Sequence, residues 1–267
     1  MNLHGILSEY TTDQINSKIP LIDEDKFSRA TSLTLRAIFS DLSNETNLKG
    51  AIECLKDARK RFELIRIGLF EAMACITWHR NQAAQAPDEE SAIITGKFYL
   101  DYVMLLMYAT AEDLSYFITH LYNIDNIKIN ANLKKKNLVS HASKVGVYLS
   151  KNMPNDKITA IVLQLKDDPD WSNVLSYRDK WVHEKPPVLY GSDLELTRKK
   201  LIVKNDNGTK TMYIAGPKQE YTIDQLLEMG LNATKALALA LSSILEVLIE
   251  EREKMGIAVN IDKGISS

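Results

Sequence analysis

The chain has 267 residues, enough to bury a substantial core without disulfide staples, and length alone leaves open one large domain or two smaller ones. Hydrophobic residues make up 45% and charged residues 25%, with 11 Gly and 7 Pro, which excludes a fibrous or disordered chain and favours long helices. The net charge of −2 gives no global attraction to nucleic acid, so any such attraction has to come from local clusters.

The start, Met1-Asn2-Leu3-His4, has no basic segment followed by an apolar core, and no secretory signal is expected. Pro20 breaks any early helix, and a first helix is predicted from Asp23 to about Leu42. Ser43-Asn44-Glu45-Thr46 reads as a turn and new N-cap. A long helix follows from about Leu48 to Gln85, where Ile52, Leu55, Phe62, Ile65, Leu69, Met73 and Ile76 recur at helical spacing, and Pro87 closes it. Cys54 and Cys75 stand on this helix about 30 Å apart, too far to bridge. Two lone thiols fit a reducing cytosol, so a cytoplasmic protein is expected, with no zinc site.

From Ala92 to about Tyr122, the positions Leu100, Met104, Met107, Ala111, Leu114, Ile118 and Leu121 alternate steps of four and three, the pattern of a helix packed lengthwise on another. Shorter helices are predicted over Leu133 to Lys151 and Asn155 to Lys166. Asp168-Pro169-Asp170 then supplies a cap and a Pro at the first helical position of the next helix. That helix ends near Glu184, because Lys185 precedes Pro186-Pro187.

Leu201-Ile202-Val203 and Met212-Tyr213-Ile214, separated by Asn205-Asp206-Asn207-Gly208, predict a β-hairpin. Thr222, with Gln225 three residues on, caps a last helix running to about Met255 before Gly256. Its residues are apolar on more than one face, which places it at the centre of the bundle or at a subunit interface. Its apolar stretch from Ala236 to Ile249 is interrupted by Ser242, Ser243 and Glu246, and no membrane span is expected. The fold class is therefore mainly α, a bundle of long antiparallel helices with a small hairpin insertion near 199–215. Residues 1–86 are expected to form N-terminal helices packed on a core of 87–257, with 258–267 as a tail.

The segment from Trp171 to Glu184 carries the chemistry. Its apolar positions Trp171, Val174, Leu175, Trp181 and Val182 make one stripe, with Arg178 in the middle of it. A cation there needs a carboxylate or a solvent-filled cleft that admits an anion. A buried ion pair with Glu112 or Asp113 is one resolution, and a phosphate-binding cleft is the other. Asp179 and His183, four residues apart, can meet on one helix, whereas Arg178 and His183 are offset by about 140° and share a pocket only if it straddles the helix end. An imidazole there is either a helix-terminal cap or a group that gives and takes a proton near neutral pH. The spacing alone arises by chance about half a time per chain of this composition, so its context carries the reading.

The string Arg178-Asp179-Lys180-Trp181-Val182-His183 resembles the signature of the HEPN (higher eukaryotes and prokaryotes nucleotide-binding) superfamily, an Arg, often followed by a polar residue, then a His after four to six positions. The resemblance covers roughly residues 90–257. It implies a helical bundle that dimerises so that two motifs face one cleft and RNA is cut without metal. It also implies Arg178 and His183 as the catalytic pair, with Asp179 as polar helper. The small toxin subgroup often has a Tyr two residues after the His; here that position is Lys185, which sets this chain apart from that subgroup and its antitoxin pairing.

What the resemblance implies is an endoribonuclease of a prokaryotic toxin or phage-defence type, needing no cofactor or metal, with RNA as its ligand, a homodimeric state, and an antitoxin or regulatory protein as a further partner. The alternative is a non-catalytic helical module that binds RNA or protein. Local charge is compatible with RNA. Lys134, Lys135 and Lys136 lead one lysine-rich segment between 126 and 157, and Arg198, Lys199, Lys200, Lys204 and Lys210 form another on the hairpin. Lys180 and Lys185 flank the motif, and Tyr177, Trp181 or Tyr213 is positioned to stack on a base.

Overall fold

In a computed structural model of the chain, the residues described are 16–40, 44–82, 90–125, 127, 129, 141–183, 188–190, 200–205, 208–213 and 219–257. They form helices α1 (Glu24–Ser40), α2 (Glu45–Gln82), α3 (Glu90–Leu121), α4 (His141–Asn152), α5 (Lys157–Asp167) and α6 (Pro169–His183). Four short strands follow, β1 (Val188–Tyr190), β2 (Lys200–Asn205), β3 (Gly208–Tyr213) and β4 (Gln219–Thr222), and then α7 (Ile223–Lys254). The protein is mainly α, a bundle built on long helices with a minor hairpin.

The helix ends follow local chemistry. Asp156 caps α5 by accepting from the Thr159 amide at 2.8 Å, and Asp168 caps α6 by accepting from the Trp171 amide at 2.8 Å, with Pro169 at the first helical position. Thr222 and Gln225 form the expected capping box at α7, at 3.1 and 2.8 Å. Gly256, with φ of 77°, follows the C-cap Met255. The second helix begins at Glu45 rather than Leu48, because Glu45, Thr46 and Asn47 form its first turn instead of a separate cap. The predicted start of the fourth helix at Leu133 lies outside the described residues.

α2 and α3 pack antiparallel along their length. Gly50 lies against His120, Gly68 against Val103 and Cys75 against Gly96, so one series of numbers rises as the other falls. Only hydrogen fits at Gly68, where a Cβ would stand 2.7 Å from the Val103 methyl. Arg61 and Asp113 close the same seam with an ion pair at 2.5 Å.

α7 lies across this pair. Gly230 admits it, since a Cβ there would be 3.2 Å from Leu69 and 3.4 Å from Met104. Of the two positions expected for the last helix, the structure gives the central one: Leu226, Ala233, Leu237, Leu241, Ile244, Leu245 and Leu248 are buried, and α7 contacts α1, α5 and α6 as well. Its apolarity is therefore that of a core helix. By length and composition alone α3 and α7 are both long and apolar enough to cross a membrane, a test that a buried core helix also passes. The 32-residue length of α7 is enough; burial explains its composition.

One hydrophobic cluster runs from Ile19 to Leu248, so the N-terminal helices and the rest share a core. β2 and β3 pair antiparallel with Asn205 opposite Gly208, as expected for the hairpin, and residues 206–207 lie outside the described ones. β1 pairs in parallel with β4, a contact the sequence reading did not anticipate.

Candidate active site at the end of helix α6

α6 is anchored by Trp171, Val174 and Tyr177, all buried. Of the stripe expected from the sequence, Trp171 and Val174 are buried and Leu175 and Trp181 are half-buried against the core, while Val182 turns outward. Val182 is 44% exposed, and Tyr177, not Arg178, occupies the centre of the stripe. Tyr177 is 1% exposed and donates its hydroxyl to Asp101 Oδ1 at 2.5 Å, and its ring meets Tyr221 edge-on at 5.5 Å. This corrects the expectation that Tyr177 stacks on a base: its ring has no free face, and its hydroxyl satisfies a carboxylate that also takes Lys97 Nζ at 2.6 Å. The Lys97–Asp101–Tyr177 chain of contacts fixes α6 on α3.

One residue on, Arg178 leaves the stripe at its edge. Its side chain is 17% exposed, and its guanidinium lies over the Tyr108 ring of α3, 3.7 Å from the centroid. Stacking of this kind lets an aromatic face offset part of the lost hydration of a cation, by about 1–2 kcal/mol where water is excluded. Nη1 donates to Asp179 Oδ1 at 2.9 Å and approaches His183 Nε2 at 3.5 Å. Neither acidic residue proposed from the sequence takes this charge: Asp113 pairs with Arg61, and Glu112 Oε1 accepts from the Ala142 amide at 3.5 Å.

The structure thus brings Arg178, Asp179 and His183 together. The angular offset of Arg178 and His183 is overcome by the length of the Arg side chain, which bends to the last turn of the helix. A guanidinium only donates, so whether this contact is a hydrogen bond depends on the tautomer of the His183 ring. Asp179 and His183 are exposed, while Arg178 is held from below, so the open side of the group faces solvent. Among the described residues, Arg178 Nε and Trp181 Nε1 are buried without a hydrogen-bond partner.

Trp181 is half-buried against the core, and Lys180 is half-buried. Lys134, Lys135, Lys136 and Lys185 lie outside the described residues, as do the side chains of the hairpin cluster and Tyr213. Among the described residues no group of three or more His, Cys, Asp or Glu is placed to hold a metal ion. His141 stacks on Tyr116 at 4.1 Å, and burial pushes its pKa below the ordinary imidazole value. A groove between α5 and α7, lined by residues such as Ile161, Leu165 and Leu239, includes none of the motif residues.

Sequence reasoning missed Tyr108, Asp101 and Lys97. Tyr108 is a half-buried position on a helix whose buried positions dominate its pattern, and nothing local to it signals a cation 70 residues later. The chain matches no family model, no curated protein and no solved structure at a significant level.

Proposed function

We propose that this chain is a metal-independent endoribonuclease that acts as a homodimer, with Arg178, His183 and Asp179 at its catalytic edge. The observation that carries the reading is the approach of Arg178 Nη1 to His183 Nε2 at 3.5 Å on the solvent side of α6. A proton acceptor and a fixed cation within reach of one phosphate are what internal attack of a ribose 2′-hydroxyl requires.

In that reaction the 2′-hydroxyl proton passes to one imidazole, the 2′-oxygen bonds to phosphorus, and the bond to the 5′-oxygen breaks as that oxygen takes a proton from an acid. The products are a 2′,3′-cyclic phosphate and a 5′-hydroxyl. One chain supplies one motif histidine, so the second proton-transfer group is the partner copy's His183. The guanidinium fork matches two phosphate oxygens and balances the charge that grows on them. The resemblance places such an activity in toxin or phage-defence settings in the cytoplasm, with an antitoxin or regulator as further partner.

The test is purified protein with RNA in EDTA. Cleavage that ends in cyclic phosphate and disappears in His183→Ala supports the reading; cleavage unchanged by that substitution overturns it.

A second reading is favoured by the stacking of Arg178 on Tyr108 and its pairing with Asp179, which give the cation a structural role without any RNA. It makes the chain a non-catalytic helical module. On that reading Arg178→Ala lowers thermal stability by about 1–2 kcal/mol, the worth of a desolvated cation–π contact, and leaves RNA affinity unchanged.

A further inference from the structure

We infer that α4 is a proton-gated clasp on α3: protonation of His141 frees the first turn of α4, and the helix swings open while the rest of the bundle stays folded. This goes beyond the ribonuclease reading and does not depend on it.

α4 is built to detach. It has 12 residues, too few to hold a helix in water by themselves, and Gly146 in its middle weakens it further. Its buried residues are Val145, Gly146 and Leu149, and it packs chiefly on α3 and α5. Ion pairs tie α1 to α7 (Lys26–Glu246), α1 to α2 (Glu24–Arg59) and α5 to α7 (Lys157–Glu250). Among the described residues none ties α4 to another helix. An element with so few buried contacts opens locally at a fraction of the global cost.

The two ends of α4 are held differently. After α4 the chain turns at 153–156 into α5, where Asp156 caps the new helix and accepts from the Tyr122 hydroxyl at 2.7 Å. That end is pinned and serves as the hinge. The other end rests on α3 through its first turn. The His141 ring stacks on Tyr116, 4.1 Å between centroids and 12° from parallel, and the Ala142 amide donates to Glu112 Oε1 at 3.5 Å.

The stack suits a neutral ring. His141 Nε2 is buried and has no hydrogen-bond partner. Whichever tautomer the neutral ring adopts, the imidazolium carries an N–H there, a charged donor with nothing to accept it. His141 is also the first residue of α4, where the helix dipole opposes a cation. Lys144 in the same turn and His120 on α3 oppose it too, while Glu112 on α3 favours it, and burial outweighs that pull. The charged residues of α5, Lys157, Lys166 and Asp167, are exposed and do not bear on the ring. The face of Tyr116 attracts a cation, but that residue is 43% exposed, and attraction over a solvated ring is weaker than the loss at an unpaired buried N–H.

In the open form His141 meets water and takes its ordinary pKa of about 6.5. Above that value the docked form is retained; as pH falls below it, opening gains until the docked ring itself titrates. Between about pH 7 and about pH 5.5 the opening equilibrium therefore rises by at most about eightfold.

The test is hydrogen exchange of the full chain at those two pH values, read peptide by peptide as protection relative to the intrinsic rate. Amides of α4 are expected to lose protection severalfold, up to that limit of about eightfold, while those of α2 and α7 keep theirs. His141→Phe, which keeps an aromatic ring on Tyr116, is expected to hold α4 protection constant, and His120→Gln to leave the wild-type change in place. Constant α4 protection in wild type overturns the inference, as does an equal loss in α2 and α7, which makes the opening global. A change that survives in His141→Phe or vanishes in His120→Gln overturns it as well. Where His141→Phe leaves α4 undocked at both pH values, NMR titration of the wild-type His141 ring decides. A midpoint below the ordinary value of about 6.5 supports the clasp, and one at or above it overturns it.

Discussion

The Tyr108 ring sets where the Arg178 cation stands, and the Asp101 carboxylate sets where α6 stands. Removing the ring leaves the guanidinium chemically intact but free to move. A displacement of about 1 Å at a reacting centre costs on the order of 100-fold in rate. Tyr108→Ala is therefore expected to lower RNA cleavage by about that factor, with Tyr108→Phe, which keeps the aromatic face, near wild type. Steady-state rates on a fluorogenic RNA distinguish the two, and equal losses in both variants would contradict the positioning role.

His141 gives a pH prediction that does not involve the site. Burial lowers its pKa, opposed by Glu112 and assisted by Lys144 and His120. A base whose folded pKa lies below its unfolded value leaves stability intact above the unfolded value of about 6.5. As pH falls below that value the unfolded chain binds the extra proton first, and stability declines until the folded pKa is reached. Urea midpoints are expected to fall between pH 7 and 5.5, and His141→Phe, which keeps the stack on Tyr116, is expected to flatten that part of the profile. An unchanged slope in the variant would assign the effect elsewhere.

Among the elements, the α2–α3 seam and the start of α7 are where single substitutions read out packing. Gly68→Ala places a Cβ 2.7 Å from the methyl of the fully buried, β-branched Val103, which cannot rotate away. Overpacking of about 1–3 kcal/mol exceeds the roughly 0.5–1 kcal/mol gained by Ala over Gly in a helix, so the melting temperature falls. At Gly146 of α4 an added Cβ meets nothing within 4 Å, and Gly146→Ala raises it. Opposite signs in differential scanning fluorimetry bear out the close approach at Gly68 specifically.

The elements legible in the sequence are those whose signals are local. Asp168 with Pro169, Thr222 with Gln225, and the Asn205–Gly208 turn each bring their partner within three residues, so residue type alone decides the geometry. The α3 periodicity was legible because seven positions repeat it. The parallel β1–β4 pair escaped because strands of three and four residues carry no periodicity and their partners lie some thirty residues apart. The same limit applied at the site. Arg178, Asp179 and His183 were legible as a cluster, but whether Tyr177 or Arg178 centred the stripe depends on which face of α6 meets α3. A Tyr beside an Arg has the same letters in either case.

At the scale of the whole molecule, two long helices differ in what covers them. α7 is enclosed by α1, α2, α3, α5 and α6, while α3 leaves Ile94, Phe98 and Tyr102 exposed. On the proposed dimeric reading, activity is expected to depend on the second power of protein concentration below the dimer dissociation constant. Dilution series of cleavage rate check this directly; a strictly linear dependence through that range would place the whole site in one chain.

The most direct measurement of the central claim is the fate of a defined RNA incubated with the protein in excess EDTA, with products resolved by end-group analysis. Wild type is predicted to yield 2′,3′-cyclic phosphate and 5′-hydroxyl ends, and both His183→Ala and Arg178→Ala to leave the RNA intact while remaining folded. Intact RNA with wild type, or cleavage that survives His183→Ala, would contradict it.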